Sequence, residues 1–322
     1  MSLPPAWLLP ALEDPRVTDI CINGPGKVFV DRGAGLEPAR LAETQGFEGS
    51  DALRTWVLEQ LSACGKSWDA KFPFVDASLS SGHRLHVAFP PIAREGLLVS
   101  LRRLPRAAVG DSASVQFEAA SRWGVSPAYE RLREAVRSGE SVLISGATGS
   151  GKTTLANDLL AEVPVQERIL CLEDTPELAP AHPQFLSLVS RPSNSDGFGE
   201  ITLRTLLKQT LRMRPDRIVL GECRGAEVLD LLQTLNTGHQ GALATLHANS
   251  PRDALRRIEL LCLLHGGGVI PVSGIRDLLA HGIQWIVQVK RGSTGRRITE
   301  LWKVEGREGD TILMRPVVQL EK

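Results

Sequence analysis

Cysteine is scarce in this chain of 322 residues, and the few cysteines form no pattern. Five occur, an odd number, and no two of them stand at the spacing of metal ligands. Small secreted domains carry even numbers of cysteines in a disulfide framework, whereas cytosolic proteins keep isolated thiols reduced. The cysteines therefore favour reduced thiols and a cytosolic protein. They are Cys21, Cys64, Cys171, Cys223 and Cys262.

Long hydrophobic runs are also missing. No apolar stretch approaches the roughly 18–20 residues that a helix needs to cross a bilayer, so we expect no membrane span. Residues 1–10 lack a basic start and are interrupted by prolines, which is not the pattern of a signal peptide. We therefore expect a cytoplasmic protein that works at a membrane only by docking there.

An excess of charge of either sign is absent as well. Lysine plus arginine and aspartate plus glutamate each total 37, so nucleic acid is not expected as the main partner. Hydrophobic residues make up 42% and charged residues 23% of the chain, which is typical of a globular protein. The length allows one large domain or two ordinary ones.

The order of strand and helix patterns divides the chain in two. Residues 1–103 predict a small mixed α/β domain, in which Ser50 is expected to cap a helix. Residues 104–118 have the small residues, proline and glycine of a linker. In residues 119–322, short apolar strands alternate with amphipathic helices. This alternation predicts a parallel sheet covered by helices on both faces.

One loop has the pattern G-x-x-x-x-G-K-[ST] between a predicted apolar strand and a predicted helix. Its glycines let several backbone N–H groups point at phosphate oxygens, and the helix N-terminus adds a positive dipole end. In this pattern the lysine reaches the β- and γ-phosphates and the following hydroxyl binds Mg²⁺. The sequence therefore predicts a nucleotide-binding P-loop. Its residues are Gly146, Ala147, Thr148, Gly149, Ser150, Gly151, Lys152 and Thr153, with Thr154 next.

Acidic residues follow two predicted strands of the second domain. Glu222 comes directly after an apolar strand, as a metal-holding carboxylate does, and Glu173 and Glu177 lie in an acidic run after another. Strand ends often carry carboxylates that are merely solvated. Because hydrolysis needs a metal-holding acid and a group that positions water, two acidic strand ends downstream of a P-loop favour a functional role.

Histidine and arginine side chains are further candidates, and each has two open interpretations. His247 follows a strand and either hydrogen-bonds a γ-phosphate or caps the next helix. A helix predicted over residues 203–213 places Arg204, Lys208 and Arg212 on one face. That stripe is either solvated or supplies an arginine finger.

Four runs of sequence resemble the type II/type IV secretion traffic ATPases. Residues 146–153, 172–178, 214–225 and 237–251 are similar to the Walker A, Asp box, Walker B and His box of that family, in this order. The subgroup they resemble most is the tight-adherence (Flp) pilus assembly ATPase, because residues 19–24 and 82–85 are similar to its N-terminal domain as well.

The resemblance implies a RecA-like P-loop NTPase core behind a smaller N-terminal α/β domain. It also implies a homohexameric ring with Mg-ATP between subunits, docked on an inner-membrane platform protein at the inner face of the cytoplasmic membrane. Hydrolysis of ATP would then move the N-terminal domains and power pilus assembly or protein secretion.

The resemblance also implies roles for single residues. Glu222 is expected to act with Thr153 on Mg²⁺, and His247 to sense the γ-phosphate. Glu173 is expected to be the catalytic carboxylate in preference to Glu177. The arginines expected to approach the nucleotide are Arg84, Arg102 and Arg103 from the N-terminal domain and Arg212 from a neighbouring subunit.

Two other functions remain open for the same core. One is a DNA-translocating or DNA-uptake motor, which the balanced charge argues against and which salt-dependent DNA binding would favour. The other is a nucleotide-gated scaffold with little turnover, which the carboxylates Glu173 and Glu222 argue against.

Overall fold

A computed structural model shows two compact units. The first unit comprises Met1–Arg106 with Ser193–Phe198, and the second comprises Ala107–Pro192 with Gly199–Lys322. The predicted linker at 104–118 lies outside the described residues, and the predicted domain boundaries stay predictions. The structure describes residues 4–33, 35–39, 46–71, 73–94, 96–103, 122–123, 126–194, 197–266, 268, 270–292 and 295–319.

The first unit has an antiparallel sheet with the strand order β3-β2-β1-β6-β5-β4. Buried and more exposed residues alternate along β1, β4 and β5, as expected for a sheet with one buried face. Its elements are α1 (Leu9–Glu13), β1 (Asp19–Asn23), β2 (Val28–Asp31), β3 (Leu36–Pro38), α2 (Ser50–Ala63), β4 (Phe74–Ser78), β5 (His83–Ala88) and β6 (Leu98–Arg103).

Helix α2 supplies much of the core of the first unit. Leu53, Trp56, Val57 and Leu61 are buried and recur at helical spacing, so one face of the helix packs in the core that the sheet residues line. The prediction that Ser50 caps this helix is wrong. The cap residue is Gly49, which has φ 157 and makes no side-chain bond, and Ser50 is already helical.

The second unit has an eight-stranded sheet with the order β14-β13-β12-β7-β11-β10-β8-β9. Strands β12, β7, β11, β10, β8 and β9 are parallel, as predicted. The elements are α3 (Pro127–Arg137), β7 (Val142–Gly146), α4 (Lys152–Leu160), β8 (Ile169–Glu173), β9 (Phe185–Val189), α5 (Leu203–Thr210), β10 (Arg217–Leu220), α6 (Glu227–Leu235), β11 (Leu243–Leu246), α7 (Pro251–His265), α8 (Val272–Gly282), β12 (Trp285–Gly292), β13 (Gly295–Glu308) and β14 (Thr311–Gln319).

Helices cover both faces of the parallel strands, as predicted. Within β7, Leu143 belongs to an apolar cluster that includes residues of α5 to α8, whereas Val142 and Ile144 belong to a second cluster with residues of α3 and α4. All five residues of β7 are buried. The P-loop strand therefore lies inside the sheet, with core on each side.

Two features differ from the predictions. Strands β13 and β14 pair antiparallel, so the sheet is mixed at this edge. Helix α5 ends at Thr210, before the predicted Met213. The N–H groups of Arg212 and Met213 bond only three residues back, and Arg214, with a positive φ of 54, then leaves helical backbone ahead of Pro215. Arg212 therefore lies beyond the helix and does not extend its basic face.

Within the described residues, no helix combines the length and the apolar character needed to cross a membrane.

Candidate functional site

The P-loop connects the buried strand β7 to helix α4. Gly149 and Gly151 have φ of 71 and 104, a backbone region that favours glycine, so the loop turns sharply into the helix. At Gly146 a Cβ atom would lie 2.5 Å from both Ser150 Oγ and the backbone oxygen of Val289. Ser150 Oγ is buried and has no hydrogen-bond partner in the described part of the chain. The loop is therefore closely packed, and the Ser150 hydroxyl is still able to make a hydrogen bond to a ligand.

Lys152 begins α4, and its ammonium group lies inside the loop. The Nζ atom donates to the backbone oxygens of Gly146 at 3.0 Å and Ala147 at 2.9 Å. It also lies 3.4 Å from Nδ1 of His247. The side chain is buried, so the positive charge is held at the position where phosphate oxygens are expected.

His247 links the P-loop lysine to the carboxylate after β10. Its Nε2 atom lies 3.2 Å from Oε1 of Glu222, while its Nδ1 faces Lys152. Since lysine only donates, this pair of contacts assigns the proton to Nε2 and leaves Nδ1 as an acceptor. Burial and the charge of Lys152 lower the pKa of His247, which favours this neutral form.

Glu222 is ionised and bonded to two residues. Its Oε2 accepts a hydrogen bond of 2.6 Å from Arg224, and its Oε1 faces His247. Burial raises the pKa of Glu222, but the hydrogen bond and charge of Arg224, with the charge of Lys152, outweigh it and hold the pKa below its usual value. The strand-end carboxylate is therefore tied into the site.

Glu173 ends β8 and is almost fully buried. Its Oε1 accepts two hydrogen bonds of 2.9 Å from the backbone N–H groups of Glu177 and Leu178, and its Oε2 accepts one of 3.3 Å from Ser187 Oγ. Burial raises the pKa of Glu173, and the backbone bonds counter this in part. Both carboxylate oxygens are thus occupied by donors, two of which come from the loop that carries Glu177.

Glu177 lies against the first turn of α4. Its Oε2 accepts a hydrogen bond of 3.3 Å from the Thr153 hydroxyl, and the residue is only partly buried. Hydroxyl and carboxylate oxygens are the ligands that Mg²⁺ prefers, so this pair fits the ion. The described residues contain no cluster of three acidic, histidine or cysteine side chains. A cation here would therefore need phosphate oxygens as well.

The sheet order explains why these residues meet. Strands β11, β10 and β8 follow one another on one side of β7, and His247, Glu222 and Glu173 stand at or after their carboxyl ends. Ligand sites of parallel sheets lie at this edge. The structure brings together Lys152, Thr153, Glu173, Glu177, Glu222 and His247.

The three predicted arginines of the first unit contact partners within that unit. In the first unit, Arg84 lies 3.5 Å from Asp76 and Arg102 lies 4.0 Å from Asp19. The guanidinium of Arg103 donates to backbone oxygens, among them Val17 at 3.1 Å.

In the second unit, Arg212 is exposed after α5. The stripe to which it was assigned is only partly solvated, because Arg204 forms an ion pair with Asp230 of α6. Roles for Arg84, Arg102, Arg103 and Arg212 stay predictions.

Two arginines that were not among the predicted site residues lie at the site. Arg224 bonds Glu222, and its backbone N–H donates to Glu227 Oε1 at 2.8 Å. Arg296 of β13 donates to Thr154 Oγ1 at 2.9 Å. Arg224 stands within the predicted Walker B run. Arg296 lies in no motif, and 142 residues separate it from Thr154 in the sequence.

The chain matches a family model described as Type II/IV secretion system protein over residues 6–289. It belongs to this family. A Mycobacterium tuberculosis protein named for conjugal transfer is 40% identical over 311 residues, covering 93% of this chain and 85% of that protein. The type IV secretion system protein VirB11 of Brucella suis is 32% identical over 324 residues, covering 92% of this chain and 88% of VirB11.

Among solved structures, the pilus retraction motor PilT with bound ADP is similar in fold. The TM-score is 0.64 at 18% identity, with 99% of this chain and 84% of that chain covered. These matches confirm the predicted family, the RecA-like core with an N-terminal domain, and an ATPase of the type II/IV secretion family. The tight-adherence subgroup stays a prediction, since both relatives carry names from conjugal transfer or type IV secretion.

Proposed function

We propose that this chain is a motor subunit that couples hydrolysis of Mg-ATP to movement of its N-terminal domain. Six copies form a ring that docks on a platform protein at the inner face of the cytoplasmic membrane. The observation that carries the hydrolytic part is the connected series Lys152–His247–Glu222 beside the P-loop. A loop that only stored nucleotide would need neither the histidine nor the buried carboxylates.

The roles follow from what each group can donate or accept. Lys152 exchanges its bonds to loop carbonyls for bonds to β- and γ-phosphate oxygens. Thr153 and Glu222 would hold Mg²⁺, and the ion would supply positive charge against the phosphates. His247 stands between Lys152 and Glu222, so loss of the γ-phosphate changes both of its contacts. That change is the local event that the ring converts into motion.

The water-positioning role belongs to Glu177, whereas Glu173 positions the loop that carries it. Glu177 is partly exposed and contacts the Thr153 hydroxyl, so it stands where the metal and phosphates are expected. Glu173 has donors on both oxygens and little accessible surface. This assignment reverses the preference that the resemblance gave to Glu173.

Arg84, Arg102, Arg103 and Arg212 supply positive charge to the nucleotide from a moving N-terminal domain or from a neighbouring subunit. A ring can bring such residues to the nucleotide. In a closed ring with head-to-tail interfaces, each site faces a different surface of the neighbouring subunit. Arginines that reach a phosphate in this way stabilise charge in the transition state.

Replacing Lys152 by Ala and Glu222 by Gln tests the hydrolytic site. We expect each variant to lose at least about 100-fold in steady-state ATPase rate, because each removes a group that acts on transferring phosphate. Lys290→Ala and Glu200→Gln, at exposed positions, are matched controls and should keep the wild-type rate. Unchanged ATPase in both site variants would contradict a hydrolytic P-loop. A tight ATP complex without phosphate release by the wild-type protein would favour the nucleotide-gated scaffold.

A further inference from the structure

Arg296 lies against the P-loop on the side opposite the hydrolytic residues. Strand β12 pairs with β7 on one flank, and β11, β10 and β8 follow on the other. His247, Glu222 and Glu173 all belong to the second flank. Arg296 stands on β13, which pairs with β12, and so approaches from the first flank.

The arginine side chain crosses the start of helix α4. A Cβ atom on Gly151 would lie 2.6 Å from Cδ and 3.2 Å from Cγ of Arg296, so the aliphatic stem runs directly over that glycine. The guanidinium then donates to Thr154 Oγ1 at 2.9 Å. Gly151 therefore has two reasons to lack a side chain, its φ of 104 and the arginine packed upon it.

Among the described residues, this arginine has no acidic counterpart. Arg296 lies directly across the β12–β13 ladder from Arg291, a like-charge pair that is unfavourable by itself. In the part of the chain that the structure describes, no carboxylate pairs with either side chain, and the guanidinium of Arg296 makes one hydrogen bond although it has five N–H groups. Burial, with the charges of Arg291 and Arg122, lowers the pKa of Arg296, as expected for a cation without an anion beside it.

A nucleotide bound to the loop has two distinguishable ends. Lys152 and Thr153 face His247 and Glu177, so the γ-phosphate lies toward the flank of β11, β10 and β8. The α-phosphate and the nucleoside then lie toward β12. Thr154 is one residue further into the helix than Thr153, and its hydroxyl faces Arg296.

We propose that Arg296 binds the α-phosphate of the nucleotide. Arg296 is then a second cation of the site, and its contact is kept when the γ-phosphate is hydrolysed. The proposal rests on the proposed nucleotide binding at the P-loop and goes beyond it by assigning the α-phosphate to the β12–β13 hairpin. A guanidinium suits this task because its planar donors match phosphate oxygens. Lys152 binds the β- and γ-phosphates, of which hydrolysis removes the γ, whereas Arg296 binds the α-phosphate, which ATP and ADP both carry.

Calorimetric titration of Arg296→Gln tests the assignment with three probes: ADP, a non-hydrolysable ATP analogue and inorganic tripolyphosphate. We expect all three dissociation constants to rise by the same factor, about tenfold, because a charged hydrogen bond to a group common to all three is lost. Arg297→Gln removes the same charge at the next residue and should bind all three probes like the wild type. Arg296→Lys should recover part of the loss.

Other outcomes separate the explanations. Weakening of the ATP analogue and of tripolyphosphate, with ADP unaffected, would move Arg296 to the γ-phosphate. Weakening of ADP and of the ATP analogue, with tripolyphosphate unaffected, would move it to the nucleoside, and either result overturns the proposal. A lower melting temperature with unchanged dissociation constants would make the Thr154 contact structural only. Failure of the wild-type protein to bind ADP would overturn the proposed function itself, whereas wild-type binding with an unaffected Arg296→Gln variant would overturn this inference alone.

Discussion

At the scale of single residues, the two carboxylates of the Asp box differ in their surroundings. Glu173 is buried and accepts three hydrogen bonds, whereas Glu177 is partly exposed and meets the Thr153 hydroxyl. From sequence both are glutamates in one acidic run, and burial is the property that separates them. The difference predicts different consequences for the same substitution.

We expect Glu177→Gln to lower the ATPase rate by about 100-fold or more. An amide cannot accept a proton from the attacking water, and it orients that water less well than a carboxylate does. Glu173→Gln should stay within about tenfold of wild type, because the amide oxygen still accepts the two backbone N–H bonds. Steady-state phosphate release measures both. The reverse order of the two effects would restore Glu173 to the catalytic role.

Thermal melting supplies the control for that pair of variants. Burial raises the pKa of Glu173, so the folded state holds its proton more tightly than the unfolded state. Ionisation of Glu173 therefore opposes folding as the pH rises above the usual glutamate range. Glu173→Gln lacks this effect and should melt no lower than wild type at neutral pH, so a loss of activity in this variant would not reflect unfolding.

At the scale of elements, the end of β10 packs against the end of β8. A Cβ atom on Gly221 would lie 2.6 Å from Cγ of Glu173, although the backbone of Gly221 is one that alanine can adopt. Any side chain at this position must displace Glu173 or separate the strands. Gly221 is thus needed because the Glu173 side chain leaves no room for a Cβ atom, and not because of its own backbone conformation.

Gly221→Ala is expected to lower the free energy of unfolding by about 1–3 kcal/mol, the usual range for overpacking a core. It should also reduce the ATPase rate, because a displaced Glu173 releases the backbone that positions Glu177. Denaturant unfolding and phosphate release measure the two effects. Gly26→Ala is the control, since its methyl group would meet nothing within 4 Å. Wild-type stability in Gly221→Ala would show that the strands accommodate the methyl group freely.

The strands around the P-loop could be predicted from sequence because they are short apolar runs followed by turn or motif residues. The prediction for β10, Arg217–Leu220, agrees with the structure residue by residue. Helix α8 was not predicted, and strand β9 has two partly buried and three exposed positions without a strict alternation. The end of α5 was not predictable from the apolar pattern, which continues to Leu211, because the chain changes to tighter turns after Thr210 and reaches a positive φ at Arg214.

The site was predictable to the extent that it lies in local motifs. Lys152, Glu222 and His247 each belong to a run whose residues are adjacent in sequence. Arg296 does not, because its contact with Thr154 depends on the pairing of β12 with β7 and of β13 with β12. Burial and hydrogen bonding, which distinguish Glu173 from Glu177, are likewise properties of the folded chain.

At the scale of the whole molecule, the proposal requires several copies of the chain. Under this proposal, Arg103 of the N-terminal domain and Arg212 of a neighbouring subunit supply positive charge to the nucleotide. Native mass measurement with and without ATP is the test. We expect a species of six chains in the presence of nucleotide, and a monomer under all conditions would contradict the ring.

The position of β7 within the sheet separates two tasks that share one ligand. Groups that act on the γ-phosphate come from strands added on one side, and Arg296 comes from a hairpin added on the other. Descendants of this chain are therefore free to diversify the hairpin, and with it the affinity for nucleotide, while the cleavage chemistry is inherited intact. With this division, substitutions in the hairpin would change how long ADP stays bound, and substitutions on the other flank would change the rate of ATP cleavage.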